Sequence, residues 1–313
     1  MSVYFPDLSC KILLRRKRIP SEQVRELQSA AGRKEPMPST YAHYRFGQDV
    51  LKALPDQYKK VLLQEADLFN IGLHGPDLLF YYKPFSHHPL HAEGGRMHRL
   101  TGRQYFTEAG KIYLNRGPRK ADYAYLCGFL CHFALDRACH GYINALASRG
   151  EVSHAEIESE LDRILLEEDG VNPVRRNLAA HIHPSRRAAK VISAYFPGAS
   201  EKEIFKGIRS LWEFNLLLTL PGHLGYRWVD RLLQILPFYS FIHGHMINLD
   251  PNPLCDRSNQ DLRQKYEDAI RDAALLIREF LPAVRGQKEW SSLMDYDFES
   301  VDTDIAKGCR PGS

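Results

Sequence analysis

His132, Asp136 and His140 follow one another at four-residue steps. That spacing stacks side chains on one face of an α-helix. Imidazole nitrogens and carboxylate oxygens are ligands for zinc. His154 and Glu158 repeat the step further along the chain, and two helices that each present such a face can enclose a metal ion between them. A lone His-x-x-x-Asp is ordinarily a surface pair or a satisfied core histidine. Here the trio stands among Leu126, Phe129, Leu130, Phe133, Ala134 and Leu135. Burying two imidazoles and a carboxylate there costs several kcal/mol unless something pairs with them, and a metal is the simplest partner.

Other candidates carry less. Cys127, Cys131 and Cys139 share the helix, but Cys131 and Cys139 are offset from the His132–His140 face, so they read as small packing residues. His74, His87, His88, His91, His181, His183, His223, His243 and His245 have no partner at helical ligand spacing; most read as surface or hydrogen-bonded core groups.

The elements that must position these residues are helices almost throughout from Tyr41 onward. Phe46, Val50, Leu51 and Leu54 share one helical face, and Tyr58, Val61, Leu62 and Leu68 continue a second amphipathic helix. Gly72 to Pro89 reads as a loop, broken by Gly75-Pro76, Lys83-Pro84 and His88-Pro89. Gln104 to Asn115 is a short helix. Residues 119–148 hold no proline and form one long helix. Ser153 starts the next, with Glu156 placed to complete a capping box and Ile157, Leu161, Ile164 and Leu165 as its buried stripe. Further helices are expected at about 185–195, 201–219, 225–237 and 258–283. The apolar stretch from Phe214 to Ile242 could touch lipid but reads rather as core, since helix-period apolar residues usually are. Strand-like alternation is nearly absent, so the fold class is all-α.

Composition narrows the choices. The 313 residues are 44% hydrophobic and 26% charged, with 18 prolines and 21 glycines, which is ordinary globular usage. A formal charge of +4 is too small to indicate a nucleic-acid binder. Six cysteines form no disulfide pattern, and neither a secretory signal nor a membrane-spanning run is visible. A cytoplasmic protein with reduced thiols is expected. Residues 1–36, with the basic run Lys11 to Arg18, read as an N-terminal extension that is either not native or disordered. Residues 37–285 form the catalytic domain and 286–313 a C-terminal tail.

His43, Gly75-Pro-Asp77, Met97-His98, His132-x-x-x-Asp136, His140 and His154-x-x-x-Glu158 together resemble the bacterial zinc-dependent phospholipase C family, related in fold to S1/P1-type nucleases. The resemblance runs from about Met37 to the 280s, and Met37 to Gly47 resembles the start of cytosolic-type members. It implies two or three zinc ions per chain. His98, His132 and Asp77 would hold the first, with Asp136 bridging it to another. His140, His154 and Glu158 would hold the second. His43 and Asp136 would hold the third, where the family adds the amine and carbonyl of its N-terminal residue. Two departures stand out. Only three residues separate Asp136 from His140, fewer than in secreted members, which puts the position of the second site in doubt. Forty-two residues precede His43, so Met1 is poorly placed to supply the amine. Translation from Met37 would instead expose the Pro38 amine close to His43.

The implied activity is phospholipase C-type hydrolysis of a glycerophospholipid by a zinc-bound hydroxide, with Asp77 as general base or ligand. The implied partner is a phospholipid, with room for transient contact with a membrane surface; no specific nucleic acid is expected, and the oligomeric state is left open. The alternatives are a single-strand nuclease and a non-catalytic lipid-binding relative. Tyr81, Tyr82 and Phe85 are candidates either to stack a base or to line a choline pocket.

Overall fold

The computed structural model describes residues 40–84, 86–219, 222, 224–235 and 245–299. The expected extension over residues 1–36 and the Met37 start lie outside these. Eleven α-helices, and no strand, occur among the described residues: α1 (Thr40–Ala53), α2 (Asp56–Gln64), α3 (Ala66–Gly72), α4 (Pro89–His98), α5 (Gly102–Asn115), α6 (Lys120–Ala147), α7 (His154–Glu168), α8 (Arg186–Ile192), α9 (Glu201–Leu218), α10 (Tyr226–Leu233) and α11 (Asp256–Val284). The all-α class holds.

The long helix α6 is the axis of the fold. From Ala121 to Asp136 every residue is buried, the mark of a helix covered on all sides. It packs against α1, α3, α7 and α11. The α3 crossing is close because it is made by two glycines. A Cβ on Gly128 would stand 2.1 Å from the Phe69 carbonyl oxygen, and one on Gly72 would stand 2.3 Å from that of Tyr125. On its other side α6 meets the apolar face of α11, where Leu262, Tyr266, Ala269, Ala273, Leu276, Ile277 and Phe280 are buried.

Local signals set most helix starts. His88 accepts from the Leu90 amide at the head of α4, with Pro89 in the first turn. Thr101 with Gln104 and Ser200 with Glu203 form full capping boxes on α5 and α9. Ser153 caps α7 as expected. Its capping box is half-made, however: the Glu156 carboxylate instead accepts from the Asn252 amide at 2.7 Å.

Four expectations need correction. The helix read through Tyr58 and Leu68 is two helices, broken at Glu65, whose φ of −124° is not helical. The Gly72–Pro89 loop contains a 3-10 turn, Gly75–Leu79. The C-terminal tail is no tail as far as residue 299. Trp290 and Leu293 pack on the core, and Met294 and Phe298 are fully buried in it. Finally, the apolar stretch from Phe214 is core only at its start. Phe214 is buried, but Leu224, Trp228, Leu232 and Ile235 face solvent, because α10 lies on the outside with no fully buried residue. Residues 236–242 of that stretch lie outside the described residues. No described helix is long and apolar enough to cross a membrane.

Candidate metal centre

Four helices and one 3-10 turn deliver the eight predicted side chains to a single buried place. His43 comes from the first turn of α1, Asp77 from the Gly75–Leu79 turn and His98 from the end of α4. α6 supplies His132, Asp136 and His140, and α7 supplies His154 and Glu158. Seven of the eight are buried and His154 is half-buried. Their ligand atoms fall into three groups, His43–His132–Asp136, Asp77–His98–His132 and His140–His154–Glu158, each with all atoms within 4.8 Å of one another.

The spacing connects the groups. Asp136 Oδ1 lies 3.2 Å from His43 Nε2 and 3.6 Å from His140 Nε2, while its Oδ2 lies 3.0 Å from His132 Nε2 and 3.9 Å from His98 Nε2. Asp77 lies 2.9 Å from His98 Nε2 and 3.6 Å from His132 Nε2. Glu158 Oε1 stands 3.3 Å from His140 Nε2 and 3.2 Å from His154 Nε2. Bonds of about 2.0–2.1 Å to a tetrahedral zinc would hold their ligand atoms about 3.3–3.4 Å apart. The short Asp136–His140 interval thus does not displace the second group: His140 lies one helical turn beyond Asp136 and faces α7.

Several of these contacts are close without being hydrogen bonds. Both oxygens of Asp77, His98 Nε2, His132 Nε2, Asp136 Oδ2, His154 Nε2 and Glu158 Oε2 are buried and have no hydrogen-bond partner. A fold that buries so many polar atoms unpaired carries a large penalty. The atoms face common points rather than one another, which is the arrangement a cation between them would satisfy. Two imidazoles are also set in a ligating tautomer. His98 Nδ1 donates to the Gly94 carbonyl at 2.8 Å and His154 Nδ1 donates to Asn144 Oδ1 at 3.1 Å, leaving each Nε2 lone pair free.

Electrostatics show what the donors do to one another. Burial alone would raise the Asp136 pKa, but His132 and His140 beside it hold its carboxyl well below the usual carboxylate range. Burial opposes ionisation of Glu158 too, and His154 and His140 bring it down to about 2. Conversely, burial would lower His140, but Asp136 and then Glu158 push it up to about 10. His43 is raised against its burial by Asp136, and His98 against its burial by Asp77. Asp136 and Glu158 are held in the charged, ligating form, and a metal would displace protons from His43, His98 and His140. The chemistry of the set fits zinc.

Sequence reasoning missed four supports. Asp162 continues the four-residue step of His154 and Glu158 on α7, but its job is different. Its carboxylate accepts the Ala42 and Tyr41 amides at 2.7 and 3.1 Å, capping α1 from outside and fixing the turn that carries His43. Gly75 adopts φ +43°, and a Cβ there would stand 2.3 Å from the His132 ring; only glycine lets the turn lie on that imidazole. Phe298 meets the His98 ring edge-on, with centroids 5.5 Å apart, and lies tilted at 5.8 Å from the His132 ring. His74 and His181, which have no partner at helical ligand spacing, meet across the fold Nε2 to Nε2 at 2.8 Å. Both are buried, and burial holds both pKa values down, to about 3 for His181.

The stacking platform is also corrected. Tyr81 and Tyr82 are buried, so neither offers a free ring face; Phe85 lies outside the described residues. Cys127, Cys131 and Cys139 are free and buried. Burial pushes each thiol up, Cys139 to about 12, as befits packing groups.

A helical fold wrapped around a buried cluster of histidines and carboxylates defines a helical metal-site protein. Residues 42–210 match the model of the family described as zinc-dependent phospholipase C, and the chain belongs to that family. All eight candidate ligands fall inside the matched span. No curated protein and no solved structure matches the chain.

Proposed function

We propose that the protein is a zinc-dependent phosphodiesterase that cleaves a glycerophospholipid in the phospholipase C manner. The observation that carries this reading is the convergence of three neighbouring donor groups, two of which share His132, in a chain of that family. His43, Asp77, His98, His132, Asp136, His140, His154 and Glu158 would hold two or three zinc ions, with the Asp136 carboxylate in reach of His43, His132 and His140. Zinc held there supplies Lewis acidity, drawing charge from phosphoryl oxygens and making water acidic enough to attack near neutral pH.

The chain's own groups do the rest. The Asp77, Asp136 and Glu158 carboxylates balance the metal charge. Gly94 and Asn144 aim the His98 and His154 rings. Asp77, with neither oxygen engaged in a hydrogen bond, takes up the proton of the attacking water on a carboxylate oxygen. The half-buried edge at His154 is where the cluster meets solvent, and Phe298 and the aromatic core beyond it keep bulk water out from the far side. The catalytic unit accordingly extends past residue 285 to take in Phe298.

Metal analysis by mass spectrometry, paired with phosphomonoester release from phosphatidylcholine and cleavage of single-stranded DNA, tests this. Two or three zinc ions per chain and activity on the lipid are expected. A zinc-free protein whose activity ignores chelators would overturn the reading, and cleavage of DNA alone would transfer it to the nucleases. Asp77→Asn should lower turnover by about a hundredfold or more while costing less zinc than Asp136→Asn. Equal, complete metal loss in both would leave Asp77 a ligand only.

A further inference from the structure

The surface around α10 breaks the usual rule for helices. Leu224, Trp228, Leu232 and Ile235 are 70, 72, 65 and 79% exposed. Their spacing of four, four and three residues puts them on one stripe of the helix and its flanks. Tyr226, Val229, Asp230 and Leu233, on the opposite side, are half-buried against the body. The helix therefore rests on its own apolar side and presents a second one to solvent. Arg227 and Arg231 border that stripe and are exposed, and the Arg231 guanidinium lies over the Trp228 ring at 6.0 Å from its centroid.

The segment is pinned in place. Arg175 donates to the Gly222 carbonyl at 3.1 Å, and Gly222 is pressed so closely on Val174 that a Cβ would stand 2.0 Å from its carbonyl oxygen. The helix that precedes it in the chain, α9, reaches the candidate centre. Leu218, at the end of α9, lines the same narrow crevice as Glu158 and Tyr81. Leu216 and Leu217, on the same turn, are 41 and 46% exposed.

We propose that α10 is a membrane-docking helix that seats the protein on a phospholipid surface beside the candidate centre, an inference that rests on the phospholipid reading of that centre. A helix lying in the interface uses aliphatic and tryptophan side chains on one side and arginine beside them; the exposed face of α10 has that make-up. Arginine forks match lipid phosphates, and with Arg175 they make the rim cationic. A second copy of the chain fits less well. A two-fold interface would bring the Arg227–Arg231 border against its own image, whereas a bilayer answers the stripe with acyl chains and the border with phosphate.

The test uses the zinc-loaded full chain with phosphatidylcholine vesicles, with and without phosphatidylglycerol, at low and high salt. Wild type should co-sediment with vesicles, more strongly with the anionic lipid and less at high salt, and its tryptophan emission should shift to the blue. Trp228→Ser with Leu232→Ser should weaken co-sedimentation by at least about tenfold. The same pair should retain hydrolysis of a short-chain phosphatidylcholine kept below its micelle concentration. Arg227→Gln with Arg231→Gln, which disturbs no buried contact, should remove the anionic preference and the salt dependence. Failure of wild type to bind vesicles, or undiminished binding by Trp228→Ser/Leu232→Ser, would overturn the proposal. So would dimerisation in lipid-free solution that those two substitutions abolish. Vesicle binding without hydrolysis of either lipid would support the docking helix and remove the phospholipase reading instead.

Discussion

α6 and α10 violate opposite halves of one rule. α6 carries ionisable side chains into the driest part of the molecule, where His132 is wholly inaccessible and Asp136 nearly so. α10 carries tryptophan and leucine out into water. Each arrangement costs free energy in the isolated chain, the first by desolvation and the second by unburied apolar area. On the readings proposed above, a bound cation would offset the cost in α6 and a lipid surface that in α10. Stability alone explains neither.

The contrast can be broken first at Asp136. Asp136→Asn should lower activity by more than about a hundredfold, beyond what loss of a supporting hydrogen bond does at metal sites, and zinc content should fall with it. Unchanged zinc content in that variant would show that the buried cluster does not need its shared carboxylate. Next comes the packing under the cluster. Phe298→Ala should cost about 3–5 kcal/mol in denaturant unfolding, since the ring is fully buried against His98 and His132. A loss below about 1 kcal/mol would return residues 286–299 to the status of a tail.

Asn144→Ala should sharpen the reading of His154. Without its acceptor the imidazole loses its set tautomer, and zinc affinity should drop by roughly tenfold with little change in fold stability. Competition with a zinc chelator measures this. The smallest effect belongs to α10, where Trp228→Ala should change stability by no more than about 0.5 kcal/mol. A large loss there would mean that the exposed face is packed after all. A thiol-alkylating reagent should likewise leave Cys127, Cys131 and Cys139 unmodified in the native protein, since burial closes them off and pushes Cys139 up to about 12. Their rapid modification would make them accessible groups rather than core.

What the chain determined by itself is local. The steps His132–Asp136–His140 and His154–Glu158 turn into shared faces by helix geometry alone, so those five side chains could be grouped from spacing. Caps at Thr101, Ser153 and Ser200 were equally local, as were the apolar periods of α1, α7 and α11. The grouping of His43, Asp77 and His98 with them had no such basis and came from family resemblance. Only packing brings α1, the Gly75 turn and the end of α4 onto one side of α6. The same holds for Asp162 capping α1 across 120 positions of sequence, for the His74–His181 pair and for Phe298 beneath the rings. Periodicity within an element cannot reveal a partner on another element. Nor could it tell which apolar residues of α10 face inward, because a helix with apolar side chains on two sides reads as core until the neighbours that would cover it are placed.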